Sequence, residues 1–199
     1  MTPTRLSAID DWAAETENRV SQGIAYFKKG LNCAQSVALA FSDFYDIPDE
    51  LMLRIAASFG GGIGRMRETC GAACGMFLLA GLEVTNPTDT ATTDGDTPEQ
   101  PIYPNAEVKK KNYEVVQQLA ATFKQLTGSL LCKELLGLSS PGASQPIPTP
   151  PTPEERTAAY YQKRPCAWMV ETAIRTYMHY LQGKYFPQAT AATDNMQLP

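Results

Sequence analysis

Five cysteines, Cys33, Cys70, Cys74, Cys132 and Cys166, are the residues of this 199-residue chain best equipped for chemistry. A thiolate is at once a nucleophile, a redox centre and a soft metal ligand. Four of the five fall where a helix is expected to begin. Cys33 follows the capping residue Asn32, Cys70 follows Thr69, Cys132 lies three residues after Ser129, and Cys166 follows Pro165. In the first turn of a helix the unpaired backbone N–H groups and the positive end of the dipole favour the thiolate, and those N–H groups can also donate to a ligating sulfur. Leu or Ala would serve such positions if packing were all they required, so the spacing points to a shared role for Cys33, Cys70, Cys132 and Cys166. Cys74 stands one turn beyond Cys70 among Ala73 and Met76 and reads as core, although the pair shares a helix face and is an auxiliary candidate for ligation or a reversible disulfide.

The stretch FGGGIGRMRETCGAACG, residues 59–75, raises three further possibilities: a phosphate cradle, a redox pair or a metal wall. A dinucleotide fingerprint fails in both registers, since the third glycine would fall on Arg65 or Arg67, and a P-loop fails because Gly64 is followed by Arg65-Met66. The glycines are expected to turn the backbone sharply or to let it approach something closely. Glu68 suits a helix start and is an auxiliary candidate ligand or proton acceptor, while Arg65 and Arg67 are either solvated loop charges or neutralise an anionic centre. Cys-x-x-Cys pairs and the haem signature are absent, and a single histidine, His179, leaves little basis for a Cys-His or Ser-His hydrolase.

The elements that must position these residues are helical. Apolar residues at helical spacing predict helices over 8–29, 33–45, 49–58, 69–82, 106–126, a short turn holding Cys132, 154–163 and 166–184. No alternating strand pattern of useful length occurs. The expected fold is all-α, a compact bundle of about six to eight helices in one domain over 1–199, with an exposed loop at about 84–103 and a Pro-rich linker at about 137–153.

Composition narrows the partners. The formal net charge of −4 offers no basic field for nucleic acid or an anionic membrane, and no window approaches the length of a membrane span. No targeting segment is visible, so a cytoplasmic protein is expected, where stable disulfides are disfavoured and five thiols need another purpose. A homodimer is the default assembly.

The blocks Asn32-Cys33-Ala34-Gln35, Phe59-Gly60-Gly61-Gly62, Glu68-Thr69-Cys70-Gly71-Ala72-Ala73-Cys74-Gly75, then Cys132 and Pro165-Cys166, resemble the redox-active family C_GCAxxG_C_C over about residues 25–173. The resemblance implies a helical domain with a redox role for Cys33, Cys70, Cys132 and Cys166, and a related four-cysteine domain in split-Soret-type cytochromes implies iron or an iron-sulfur cluster by analogy. Cys74, Arg67 and the two insertions depart from the family pattern. Three expectations follow. The first is an iron-sulfur protein acting in electron transfer or redox sensing with an electron-transfer or oxidoreductase partner. The second is a metal-free oxidoreductase in which Cys70 attacks and another cysteine resolves. The third is an interaction module that holds zinc.

Overall fold

A computed structural model describes residues 6–84, 106–139, 147 and 149–186. Among these residues there are eight α-helices and no strand: α1 (Trp12–Lys28), α2 (Cys33–Leu39), α3 (Asp49–Ala56), α4 (Gly71–Val84), α5 (Ala106–Thr127), α6 (Cys132–Leu135), α7 (Ala158–Lys163) and α8 (Cys166–Tyr185). Short 3-10 turns follow α2 (Ser42–Tyr45) and α3 (Ala57–Phe59), so the single helix expected over 33–45 is broken after Leu39.

Local chemistry sets these boundaries. Asp11 caps α1 by accepting from the Ala14 N–H at 2.9 Å, and Gly30, at φ 104°, ends it in a conformation that favours glycine. At α2, Asn32 and Gln35 form a reciprocal capping box: the Gln35 N–H donates to Asn32 Oδ1 at 2.9 Å and the Asn32 N–H to Gln35 Oε1 at 3.1 Å. Asn32 Nδ2 also donates to the Ala57 carbonyl at 2.9 Å, which ties the start of α2 to the chain leading into the glycine loop.

The core lies between α2, α4 and α8, with α1 and α5 packed on α8 and α3 on α2. Helix α4, GAACGMFLLAGLEV, is apolar on almost every side and is buried accordingly. Its glycines let α2 come close. A Cβ on Gly75 would stand 2.7 Å from the Ala34 carbonyl oxygen and 2.9 Å from Val37 Cβ. One on Gly71 would stand 2.7 Å from the Phe59 carbonyl oxygen and 3.3 Å from Cys33 Cβ. Separated by four residues, the two glycines share a helix face, and the close approach they allow brings the starts of α2 and α4 together.

The two expected insertions are described only in part. Residues 85–105, most of the expected loop, lie outside the described residues, and Val84 belongs to α4 and is buried. The Pro-rich segment is described in part, and its C-terminal portion is not a free connection: Arg65 Nε donates to the Pro150 carbonyl at 2.8 Å. Residues 154–157, expected to be helical, lie outside any helix, and α7 begins only after Thr157, whose hydroxyl accepts from the Tyr160 N–H at 3.2 Å.

Candidate redox site

Each of the four cysteines stands at a helix start. Cys33, Cys132 and Cys166 are the first residues of α2, α6 and α8, and Cys70 directly precedes α4. Thr69, where the fourth helix is expected to begin, instead forms an isolated antiparallel bridge with Leu131, and the Cys70 sulfur meets the backbone N–H groups of Ala72 and Ala73. The bridge fixes a register: the Cys70 N–H donates to the Leu130 carbonyl at 2.7 Å and the Cys132 N–H to the Glu68 carbonyl at 2.6 Å. Two cysteines sixty-two positions apart are thereby held side by side.

The glycine loop closes the same wall. Gly61, Gly62, Ile63, Gly64 and Arg65 all have φ between 56° and 73°, and Arg67 follows at 63°. A left-handed conformation costs a non-glycine residue about 1–2 kcal/mol, so this chain places three residues in strain, two of them arginines. Gly62 is confined as well as turned, since a Cβ there would lie 2.6 Å from Cys132 Cβ.

Cys33, Cys70, Cys132 and Cys166 line one cavity of about 280 Å³. Arg65, Arg67, Arg156, Arg164 and Glu154 share its wall. Arg67, for which a solvated loop charge and a neutraliser of an anionic centre are both expected readings, is 4% exposed. Glu154 lies 3.5 Å from Arg65 and 3.8 Å from Arg67 and pairs closely with Arg164. Arg156 lies over the rings of Phe27 and Tyr160, 4.7 and 4.9 Å from their centres, and donates to the Leu31 carbonyl at 3.2 Å.

The electrostatics divide the thiols. A hydrogen bond from Cys33 draws the Cys166 thiol down to about 7 against the opposing effect of burial, with help from Arg164, Arg156 and Arg67. The same hydrogen bond, together with burial, holds Cys33 well above the ordinary thiol range. Burial pushes Cys70 up to about 12 although two backbone N–H groups face its sulfur. Burial also raises Cys132, and the Arg67 guanidinium beside it offsets part of that rise. In metal-free protein the thiolate is therefore favoured at Cys166 rather than at Cys70, where the apolar surroundings outweigh the dipole.

The auxiliary candidates separate. Arg65 is part of the cavity wall. Glu68 is not, and its half-exposed carboxylate pairs with Lys133 at 3.3 Å. Cys74 is buried outside the lining, its sulfur 3.9 Å from the Thr69 carbonyl, and burial lifts it to about 11. His179 does not line the cavity either. Sequence reasoning missed Glu154, Arg156 and Tyr160, which reach the site from a segment whose composition reads as linker and helix. The basic residue near each cysteine was a weak signal for Arg67 and Arg164, because any window of a chain with 17 Lys and Arg carries one.

Among the described residues, no group of three or more His, Cys, Asp or Glu side chains is gathered closely enough to hold a single metal ion. No helix among them is long and apolar enough to cross a membrane.

Fold and site together define an all-helical domain with four cysteines brought to one cavity at helix starts. Residues 31–180 match the family described as "Putative redox-active protein (C_GCAxxG_C_C)", and the chain belongs to that family. No curated protein and no solved structure matches it.

Proposed function

We propose that this protein is an electron carrier or redox sensor whose Cys33, Cys70, Cys132 and Cys166 hold an iron-sulfur cluster. The observation that carries the reading is the shared cavity: four thiols from four separate helix starts line it, beside four arginines. The residues present fit such a group. The donor set is all sulfur, as cysteine-ligated clusters require, and the backbone N–H groups at Ala72 and Ala73 face one of the sulfurs. A single zinc ion needs four sulfurs about 2.3 Å from one point, whereas a cluster is attached at different irons and suits thiols spread around a cavity wall.

When bound, such a cluster accepts and returns single electrons. The chain's own residues would hold its charge and exclude water: burial keeps Cys70 and Cys132 out of solvent, and Arg67 beside Cys132 offsets negative charge. The thiols of Cys33 and Cys70 release their protons only on ligation, since burial and the Cys166 hydrogen bond hold them neutral without it. An electron-transfer protein or oxidoreductase is the partner this reading requires.

The hydrogen bond between Cys33 and Cys166 favours a second reading, a dithiol oxidoreductase. In it the Cys166 thiol releases its proton to solvent, and its thiolate attacks one sulfur of a partner's disulfide and expels the other as a thiolate, which takes a proton from solvent. Cys33 then gives up its proton and attacks the Cys166 sulfur of the mixed disulfide, which releases the partner's second thiol. The partner gains two electrons and two protons, and a Cys33–Cys166 disulfide remains. Cys70→Ser separates the two readings. The cluster reading expects loss of visible absorption and of iron and sulfide, and the dithiol reading expects oxidation of Cys33 and Cys166 to continue unchanged.

A further inference from the structure

Among the described residues the cavity wall carries more arginines than carboxylates: four of the chain's eight arginines line it, and Glu154 is the one acidic residue found there. The guanidinium groups are not uniformly satisfied. Arg67 Nε and Arg156 Nη1 are buried and have no hydrogen-bond partner within the protein. A buried donor without an acceptor is costly, more so on a charged group, and an arginine fork is shaped to meet two oxygens of one anion. Strain points the same way, since Arg65 and Arg67 are both held at φ near 65°.

Glu154 already pairs with three of these arginines. Its carboxylate serves Arg65, Arg67 and Arg164 at once, yet its side chain is 47% exposed and it sits on an exposed segment outside any helix. Pro151 and Pro153 of the same segment line the cavity. An exposed carboxylate on a short strap is a contact that a competing anion can replace with little loss of packing, because salt screens it and few apolar atoms move with it.

We propose that the arginine side of the cavity is a binding site for a small oxyanion of phosphate type, next to the thiols, and that Glu154 occupies it as a built-in, displaceable substitute. The unpaired N–H groups of Arg67 and Arg156 are the donors reserved for that ligand. A cavity of about 280 Å³ has room for a small anion. The proposal deepens the redox reading, since it places an anionic substrate or effector beside the redox thiols.

Inorganic phosphate is titrated into the full chain, purified without oxygen, by calorimetry, with chloride at equal ionic strength as the control for screening. Saturable phosphate binding is expected. Glu154→Gln should tighten it roughly tenfold by removing the competitor, and Arg156→Lys should weaken it roughly tenfold by removing the fork while keeping the charge. If Arg156→Lys does not fold by circular dichroism, Arg67→Lys replaces it with the same expectation. Absence of saturable binding in both the native chain and Glu154→Gln overturns the proposal, as does binding that the arginine variants leave unchanged. Because the readout is heat and not electron transfer, the two readings fail separately. A protein without cluster or dithiol chemistry that still binds phosphate refutes the redox reading and keeps this site. A cluster-bearing protein that ignores phosphate does the reverse.

Discussion

Around Glu83, on α4, burial of charge is fully compensated. The Tyr45 hydroxyl donates to Glu83 Oε2 at 3.0 Å, Lys184 and the Tyr185 hydroxyl both meet Oε1, and the Tyr177 hydroxyl, in contact with that of Tyr45, donates to the Leu79 carbonyl at 3.0 Å. Around the four cysteines it is not: Arg67 Nε and Arg156 Nη1 lack partners, and the thiols are raised or lowered according to which neighbour each one meets. Both regions are buried polar clusters between the same packed helices. The first is complete within the chain and ties α4 to α8; the second is left open, as expected where a ligand completes the set.

That contrast can be broken or sharpened by substitution. The largest effect is expected at the closed network. Glu83→Ala removes the acceptor of two tyrosines and the partner of Lys184, and should cost about 3–5 kcal/mol in urea unfolding while leaving the iron content per folded molecule unchanged. Equal loss of iron would mean that the two regions are coupled. Gly62→Ala should act on the open site, costing about 1–2 kcal/mol from its φ of 73° alone and displacing Cys132, with iron lost before the fold is. Arg67→Met is the converse of Glu83→Ala. Removing an incompletely paired buried charge should leave the metal-free protein within about 1 kcal/mol of the native stability, and a loss as large as that of Glu83→Ala would show that Arg67 is structural.

The thiols give a pH test of the same contrast. Cys166, at about 7 in the fold against an ordinary 9.0, adds stability that is fully present above 9.0 and is lost as pH falls through 7. Cys70, at about 12, and Cys74, at about 11, have the opposite sign. Below pH 9 both are neutral in folded and unfolded chains alike, and above it only the unfolded chain loses the protons, so metal-free protein should weaken as pH rises from about 9 toward 12. Iodoacetamide should alkylate Cys166 first, with a rate midpoint near pH 7 that disappears in Cys166→Ser. Alkylation that begins at Cys70 would contradict the assignment of the activated thiol.

The helices were legible because apolar periodicity, caps and glycine stops are local signals: Asn32, Gly30 and Pro165 each mark an observed boundary. The four site cysteines were legible for the same reason, since a helix start can be read from its capping residues. The capping box at Asn32 and Gln35 was equally readable, from the residue three positions after the cap, but was overlooked. Other features had no local signal. The bridge between Thr69 and Leu131 joins distant segments, and Cys70 loses its activation to burial, which depends on tertiary packing. Glu154 and Arg156 reach the cavity only because a Pro-rich segment folds back across it, and nothing in its composition says where it docks.

The most direct test of the cluster is a visible spectrum of anaerobically purified protein, with iron, acid-labile sulfide and zinc measured on the same sample. Absorption between about 320 and 450 nm is expected, with iron and sulfide in equal amounts and both lost in Cys70→Ser. A colourless protein without iron or sulfide would contradict the cluster reading, and bound zinc in that sample would identify the four thiols as a structural metal site instead.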